Sequence, residues 1–442
     1  MGAGLRPAGT VSHASIHAQA GEPTARTGQQ DTAATEGPER CLAGLANVAA
    51  MTFLAARVVP GGFVVALAGG VPLARASARH GARAGYATAA ASLVETMAVM
   101  GPARMGIPIP HAASAPALGA LERRRAALAW LALTGATIRF GYYVLTSLFY
   151  IFALVGLDAY TGTYEAVRES VSFLPAGNAA ALLMTAAFLG LWSLGAGLIQ
   201  AWVVRQGLRR WDDAEEALGE RPAPPADRGG RADPRTVVLT GLVAIGISLA
   251  TTQPEVLALV AVWLTAAWLI TRAGKRSLLG GLALAAPLAV ATLAFGVVGG
   301  LGWELALRRT ARVALLVLTA VWLRSAAGAA GLRMVSLGAV RRLRRLPTMR
   351  LAAAVLGASA GVGSYGDAAR RLGRGMRSAR KRPGPLLGAA LAWIVSEATR
   401  LSWPAEQKDP KLRWGRVETA LLASTGALGL IVTGMVVAAL AG

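Results

Sequence analysis

The chain holds one cysteine, Cys41, and four histidines in 442 residues. A single thiol excludes an intrachain disulfide and any metal site built on several thiolates. Acidic residues number 23 against 45 Lys and Arg, and charged residues make up only 15%. Soluble proteins average about 25%. A phosphate-binding loop is missing: Gly274-Lys275-Arg276 lacks the upstream Gly and the following Ser or Thr, so it reads as a cytoplasmic loop with no ATP site. No Ser/His/Asp order, Asp-rich pair or His-x-x-Glu element falls on an apolar run. Metal and nucleophilic catalysis therefore have little to build on, and a protein that is not an enzyme, without metal or cofactor, is expected. Residues 1–40 lack the apolar core of a signal peptide. Their Gly/Ala/Thr/Gln-rich composition predicts a disordered cytoplasmic tail. His13 and His17 share a helical spacing there, but no further ligand stands nearby.

What remains is apolar sequence. The chain is 54% hydrophobic, with a mean hydropathy of +0.49. Several runs reach the ~20 apolar residues that span a hydrocarbon core. The expected fold class is all-α: a polytopic helical membrane protein in the cell (inner, cytoplasmic) membrane, in contact with membrane lipid. The formal net charge of +22 would suggest nucleic acid in a soluble domain. Here Lys and Arg collect in short loops between apolar runs, as the positive-inside rule requires. No nucleic-acid partner is expected.

Residues 212–235 are rich in Pro, Gly and charge, which forbids a span and favours an extended linker. They divide the chain into a membrane domain over 41–211 and a second over 236–442. In the first, apolar runs cover about 42–58, 62–74, 84–101, 126–157 and 178–204. Placing Arg75/Arg79/Arg83, Arg123/Arg124/Arg125 and Arg205/Arg209/Arg210 inside demands one more crossing through about 103–121. That stretch contains Pro108, Pro110 and Pro116 and would need shielding by the bundle. The count is about six spans, with the turn after residue 101 outside. In the second domain the runs are about 236–252, 255–271, 277–299, 305–323 and 417–441, about five spans. Between the last two, residues 335–402 carry Arg at high density and apolar residues at three- to four-residue spacing. That pattern gives amphipathic helices.

Two charges fall inside the runs. Intramembrane charges are costly and default to a functional role, so Glu95 and Arg139 are candidates for a substrate pocket. A buried structural ion pair, or an Arg139 that snorkels, is the alternative. Asn178 and Gln200 are placed near span ends and expected at the interface. Ala46 and Ala50 form a small-xxx-small pair on the first run, suited to close helix approach. Gly361-Val362-Gly363-Ser364-Tyr365-Gly366 fits a dinucleotide fingerprint. It lacks the preceding strand and the acid about 20 residues on, so small residues for helix packing are the better reading.

Asp233-Pro234-Arg235-Thr236 directly precedes the first span of the second half. It resembles the Asp-Pro-Arg-Thr-Lys opening of the transmembrane T component of energy-coupling-factor (ECF) transporters, a group of ABC importers, with Val237 where Lys is usual. Leu323-Arg324-Ser325 through Leu343-Arg344-Arg345-Leu346-Pro347 is similar to that family's approach to its coupling helices. Those helices end in X-Arg-X motifs that seat on two ATPase subunits. Gly373-Arg374-Gly375 matches the first motif, and Thr399-Arg400-Leu401 is a looser match to the second. The acidic residues usual before the first motif are mostly missing; Asp367 remains. Six spans ahead of a T component look like a substrate-binding S component. Gly69-Gly70-Val71-Pro72-Leu73, leading to Arg79-His80-Gly81, is similar to small S-like membrane proteins. The resemblance implies a fused subunit that binds a vitamin-like small molecule and couples to two cytoplasmic ATP-binding cassette ATPases. Arg374, Gly373, Gly375 and Arg400 would make the coupling contacts. The alternative is a membrane-embedded enzyme or lipid-handling protein of envelope synthesis.

Overall fold

The computed structural model describes residues 38–57, 62–171, 173–212, 232–359, 370, 372–374, 376, 382–398 and 414–441. Most of the tail expected over 1–40, and residues 213–231 of the expected linker, lie outside these. Among the described residues the secondary structure is helical, in fourteen α-helices. The first seven are α1 (Pro38–Ala55), α2 (Gly62–His80), α3 (Ala82–Met100), α4 (Pro108–Arg123), α5 (Leu128–Phe149), α6 (Leu157–Ser170) and α7 (Asn178–Asp212). The second seven are α8 (Pro234–Ala250), α9 (Pro254–Thr271), α10 (Lys275–Val298), α11 (Trp303–Arg342), α12 (Pro347–Ala358), α13 (Pro383–Ala398) and α14 (Arg416–Ala441). Residues 39–442 form one compact unit.

The helix starts follow local chemistry. Pro108, Pro234, Pro254 and Pro347 open α4, α8, α9 and α12. A first-turn proline loses nothing there, because its missing N–H would have no intrahelical partner. Asp233 caps α8, accepting from the Arg235 backbone N–H at 2.8 Å. Gly101 and Gly156 end α3 and the π-turn Tyr150–Val155 at φ 84° and 92°, a region that suits glycine.

Six helical segments are long and apolar enough to cross a membrane: Leu128–Val155, Asn178–Trp211, Pro254–Thr271, Lys275–Val298, Trp303–Arg342 and Arg416–Ala438. These are the features of a multi-pass membrane protein. They belong to α5, α7, α9, α10, α11 and α14; α5, α7, α10 and α14 leave most of their surface open to the surroundings, while α9 and α11 are more enclosed. Leu145, Phe188, Leu191, Leu279 and Leu430 are each more than half exposed, an arrangement stable in lipid rather than water.

The helices α1 to α4 behave differently. They have 16 to 19 residues, about 24–29 Å at 1.5 Å per residue, against a hydrocarbon core of ~30 Å. Leu42 to Ala55 of α1 and Val65 to Ser77 of α2 are buried without interruption. Ala46 and Ala50 sit within that buried stretch. Small residues permit the contact: a Cβ on Gly119 of α4 would lie 2.0 Å from the Ala74 carbonyl oxygen of α2. The weak segment 103–121 contains α4, which starts only at Pro108 after a 3-10 turn over Pro102–Arg104, and it is one of four short helices packed within the protein.

This changes the level of one turn. The alternation of charges put the turn after residue 101 outside and the 272–276 loop inside. In the structure Gly101, Ala103 and Arg104 line one cleft with Arg276 and Ser277, so the two turns lie at one level. Alternation holds only where each helix crosses, and none of α1 to α4 is among the helices long and apolar enough to cross.

In the second half α8, α9, α10 and α14 stand where apolar runs were expected, but α8, 17 residues long, is not among the six segments long and apolar enough to cross. Trp263 and Trp322 meet edge to face, with centroids 5.5 Å apart. Their indole N–H groups donate to Thr425 Oγ1 at 3.1 Å and Thr271 Oγ1 at 3.2 Å, which ties α9, α11 and α14 together. Glu418 at the start of α14 accepts from the backbone N–H of Asp233 at 2.8 Å. The starts of α8 and α14 therefore share one end of the bundle. The expected run 305–323 is only part of α11, which continues to Arg342 with a break at Gly328, φ 70° and ψ 169°. The helix α6 had no counterpart among the apolar runs; its polar surface, Tyr164, Glu165 and Arg168 included, carries no span signal.

Candidate functional site

Glu95 stands on α3, fully buried. Its Oε1 accepts from Arg333 Nε at 2.6 Å and from Ser359 Oγ at 2.7 Å. Arg333 lies on α11 five residues beyond the Gly328 break. Its Nη2 also donates to the Leu356 carbonyl at 2.5 Å and to Ser359 Oγ at 2.8 Å. Among the described residues the Oε2 of Glu95 has no partner. The pair joins a helix of the first half to α11 and to the end of α12. The helix α3 packs along both. Sequence reasoning singled out Glu95 but not Arg333, which reads as one of many basic residues after a span.

A second buried polar cluster forms within the first half. Arg139 of α5 is fully buried; its Nε donates to Gln200 Oε1 at 3.0 Å and its Nη2 to His111 Nδ1 at 2.5 Å. Guanidinium offers only donors, so Nδ1 of His111 accepts. Ser114 Oγ donates to the same Gln200 oxygen at 2.7 Å. Among the described residues no carboxylate pairs with Arg139, and its Nη1 has no partner. Arg139 does not snorkel. Gln200 is not interfacial, as its place near a span end suggested, but the acceptor that holds Arg139; the 35-residue α7 continues to Asp212, so Gln200 is interior. Phe63 packs edge-on to His111 at 5.5 Å and lies 6.0 Å from Trp192. Both aromatics line a cleft of about 250 Å³ with Phe188, Leu191, Ala196 and Ile199. The rings of Phe63 and His111 thus stand between the apolar cleft and the buried cation.

Of the expected coupling residues, Gly373 and Arg374 are described. They lie in a helical turn with Arg374 exposed and Gly373 half-buried. Leu372 and Met376 on either side are buried at 1% exposure and anchor the turn in the core. Gly375, Arg400 and the Gly361–Gly366 motif lie outside the described residues. The structure brings neither Arg374 nor Arg139 to the Glu95 pair. No group of three His, Cys, Asp or Glu side chains able to hold a metal occurs among the described residues.

Arg205 was read only as a mark of the inside face. It makes a bidentate pair with Glu122, 2.9 Å at the closest approach, and donates to the Ala126 carbonyl at 2.7 Å. It staples the end of α4 to α7. The Asp-Pro-Arg-Thr stretch likewise has a structural task here, since Asp233 caps α8 and receives Glu418. Compared with known proteins, the chain matches no family model, no curated protein and no solved structure.

Proposed function

We propose that the chain is the membrane subunit of an ECF-type ABC importer in the cell membrane. It fuses a substrate-binding half to an energy-coupling half and takes up a vitamin-like small molecule. Its partners in this reading are two cytoplasmic ATP-binding cassette ATPases, and the chain itself hydrolyses no ATP. One observation carries the reading beyond sequence resemblance: the buried Glu95–Arg333 pair. It links α3 of the first half to the part of α11 beyond the Gly328 break. That part leads toward the basic stretch that presents Arg374. A displacement imposed on this stretch would reach α3 through α12 and the Arg333 guanidinium, a contiguous path of packed and hydrogen-bonded groups.

Arg suits the exposed coupling position because it is always charged and donates from a fixed fork. Arg139 suits the substrate half for a related reason. A buried cation without a carboxylate partner is stabilised by an anionic ligand group, and the cleft beside Phe63 and Trp192 offers apolar surface for the rest of the molecule. The test is retrieval of the tagged full chain from its native membrane with mass spectrometry of what accompanies it. Two ATP-binding cassette ATPases in stoichiometric amount are expected. A chain that arrives alone, or that shows ATP turnover by itself, contradicts the proposal.

A further inference from the structure

A basic cleft lies where the turn after α3 meets α10 and α11. Its volume is about 410 Å³, and its lining includes Arg104, Arg276, Arg324, Ser277 and Ser325, with no carboxylate. Arg324 Nε donates to the Val99 carbonyl at 2.8 Å, which holds its side chain against the turn. A fourth cation stands behind the cleft: Arg57 Nη2 donates to the Arg104 carbonyl at 2.8 Å. Burial, and then the charge of Arg104, push the Arg57 guanidinium below its ordinary value. Among the described residues no carboxylate pairs with Arg57, Arg104 or Arg276. The helix α10, 24 residues long, begins here at Lys275, so its positive end adds to the field. Arg57, Arg104 and Arg276, brought together without a carboxylate among the described residues, repel one another, and an anion in the cleft would offset that repulsion.

We infer that this cleft binds a phosphate group, held by Arg104, Arg276 and Arg324 with the hydroxyls of Ser277 and Ser325. Guanidinium forks match phosphate oxygens bidentately, and hydroxyls complete the donor set. The neighbouring surface points to an anionic phospholipid headgroup as the source. Leu278, Leu279 and Leu282 follow on α10 and are exposed at 39%, 65% and 47%, so acyl chains would lie along α10 below the headgroup. A bound phosphate would bridge α10 and α11 to the turn after α3, and so stabilise the contact of the two halves.

The experiment uses the full chain in nanodiscs of phosphatidylcholine. Phosphatidylglycerol is titrated in one arm and soluble glycerol phosphate in the other. Readouts are the thermal midpoint and lipid retained in native mass spectrometry. Phosphatidylglycerol should raise the midpoint and be retained. Arg104→Gln/Arg276→Gln should weaken retention at least about 10-fold, the scale of lost charge-assisted hydrogen bonds. Arg123→Gln/Arg124→Gln, which removes the same charge from the exposed end of α4, should not. Should the first double variant fail to assemble, Arg276→Gln alone gives the same readout, because Arg276 is exposed and its side chain makes no described hydrogen bond. Stabilisation by glycerol phosphate that the double variant abolishes supports the site with a soluble source. Stabilisation by neither ligand, or by either one unchanged in the double variant, overturns the inference.

Discussion

Removing Arg333 should damage the protein more than removing Glu95, although the two form one pair. In Arg333→Ala, Glu95 stays fully buried and keeps only the Ser359 hydroxyl as donor, while its Oε2 already lacks a partner. Breaking a buried pair from one side costs about 3–5 kcal/mol when the remaining charge has no other compensation. In Glu95→Ala, Arg333 keeps the Leu356 carbonyl and Ser359, and its side chain is 15% exposed. Its charge is partly solvated, so a loss of about 1–3 kcal/mol is expected, the scale of one hydrogen bond to a charged group. The double variant should be less than additive, because once both charges are gone nothing buried is left uncompensated. The assay is equilibrium unfolding of the full chain in mixed micelles for the wild type, both single variants and the double variant. Equal losses in the two single variants, or strict additivity, would refute the asymmetry and the claim that Arg333 is what keeps Glu95 buried.

Three further outcomes follow from particular positions. Gly119→Ala should lower the thermal midpoint by an amount equivalent to about 1–3 kcal/mol, because the new Cβ meets backbone of α2 rather than a side chain that can yield; an unchanged midpoint would mean that α2 and α4 are not that close. Gly328→Ala should cost about 1–3 kcal/mol, since φ 70° with ψ 169° is open essentially to glycine alone, and spin-label distances between α8 and α12 should report a changed bend; unaltered distances and stability would remove the break as a hinge. The connection between α6 and α7 should loosen in acid. Glu165 is held below the usual carboxylate range, first by the hydrogen bond from Arg168 and then by that from the Gly177 backbone N–H. A lowered folded value means that its contribution is present above the unfolded value and is lost as pH falls through the folded one. Hydrogen exchange at Gly177 should therefore accelerate only below about pH 4.5, the usual carboxylate value, and Glu165→Gln should abolish that step.

The helices of the second half were legible because their apolar runs end at strong stops: Asp233-Pro234, Gln253-Pro254, Gly274 and Gly299 bound α8, α9 and α10 within one to three residues of the runs. The continuation of α11 past Leu323 was not, because its apolar pattern gives way to Arg-rich amphipathic sequence while the backbone remains helical apart from Gly328. The short helices α1 to α3 were legible as apolar segments, and α4 only as the weak crossing that the basic clusters demanded over 103–121. The shielding of α4 was expected from its prolines, but the enclosure of α1 to α3 was not legible, since an Ala-rich helix reads the same whether lipid or protein surrounds it. Glu95 and Arg139 stood out because charge inside an apolar run is rare. Their partners did not: Arg333 is 238 residues from Glu95 and Gln200 is 61 from Arg139, and only packing brings such groups together. Arg374 rests on a family resemblance whose acidic flank is mostly absent; the structure adds that the side chain is exposed between two buried anchors.

The central proposal is that Arg374 delivers the force of an ATPase to the membrane half, and its most direct measurement is the affinity of the purified full chain for the pair of ATP-binding cassette ATPases that the proposal calls for. Losing a charge-assisted contact costs about 1.5–3 kcal/mol, roughly 10- to 150-fold in affinity. Arg374→Ala should show that loss while substrate binding stays at the wild-type level, and adding Arg400→Ala should weaken association further. ATPase affinity and uptake that remain at wild-type values in the double variant would contradict the assignment.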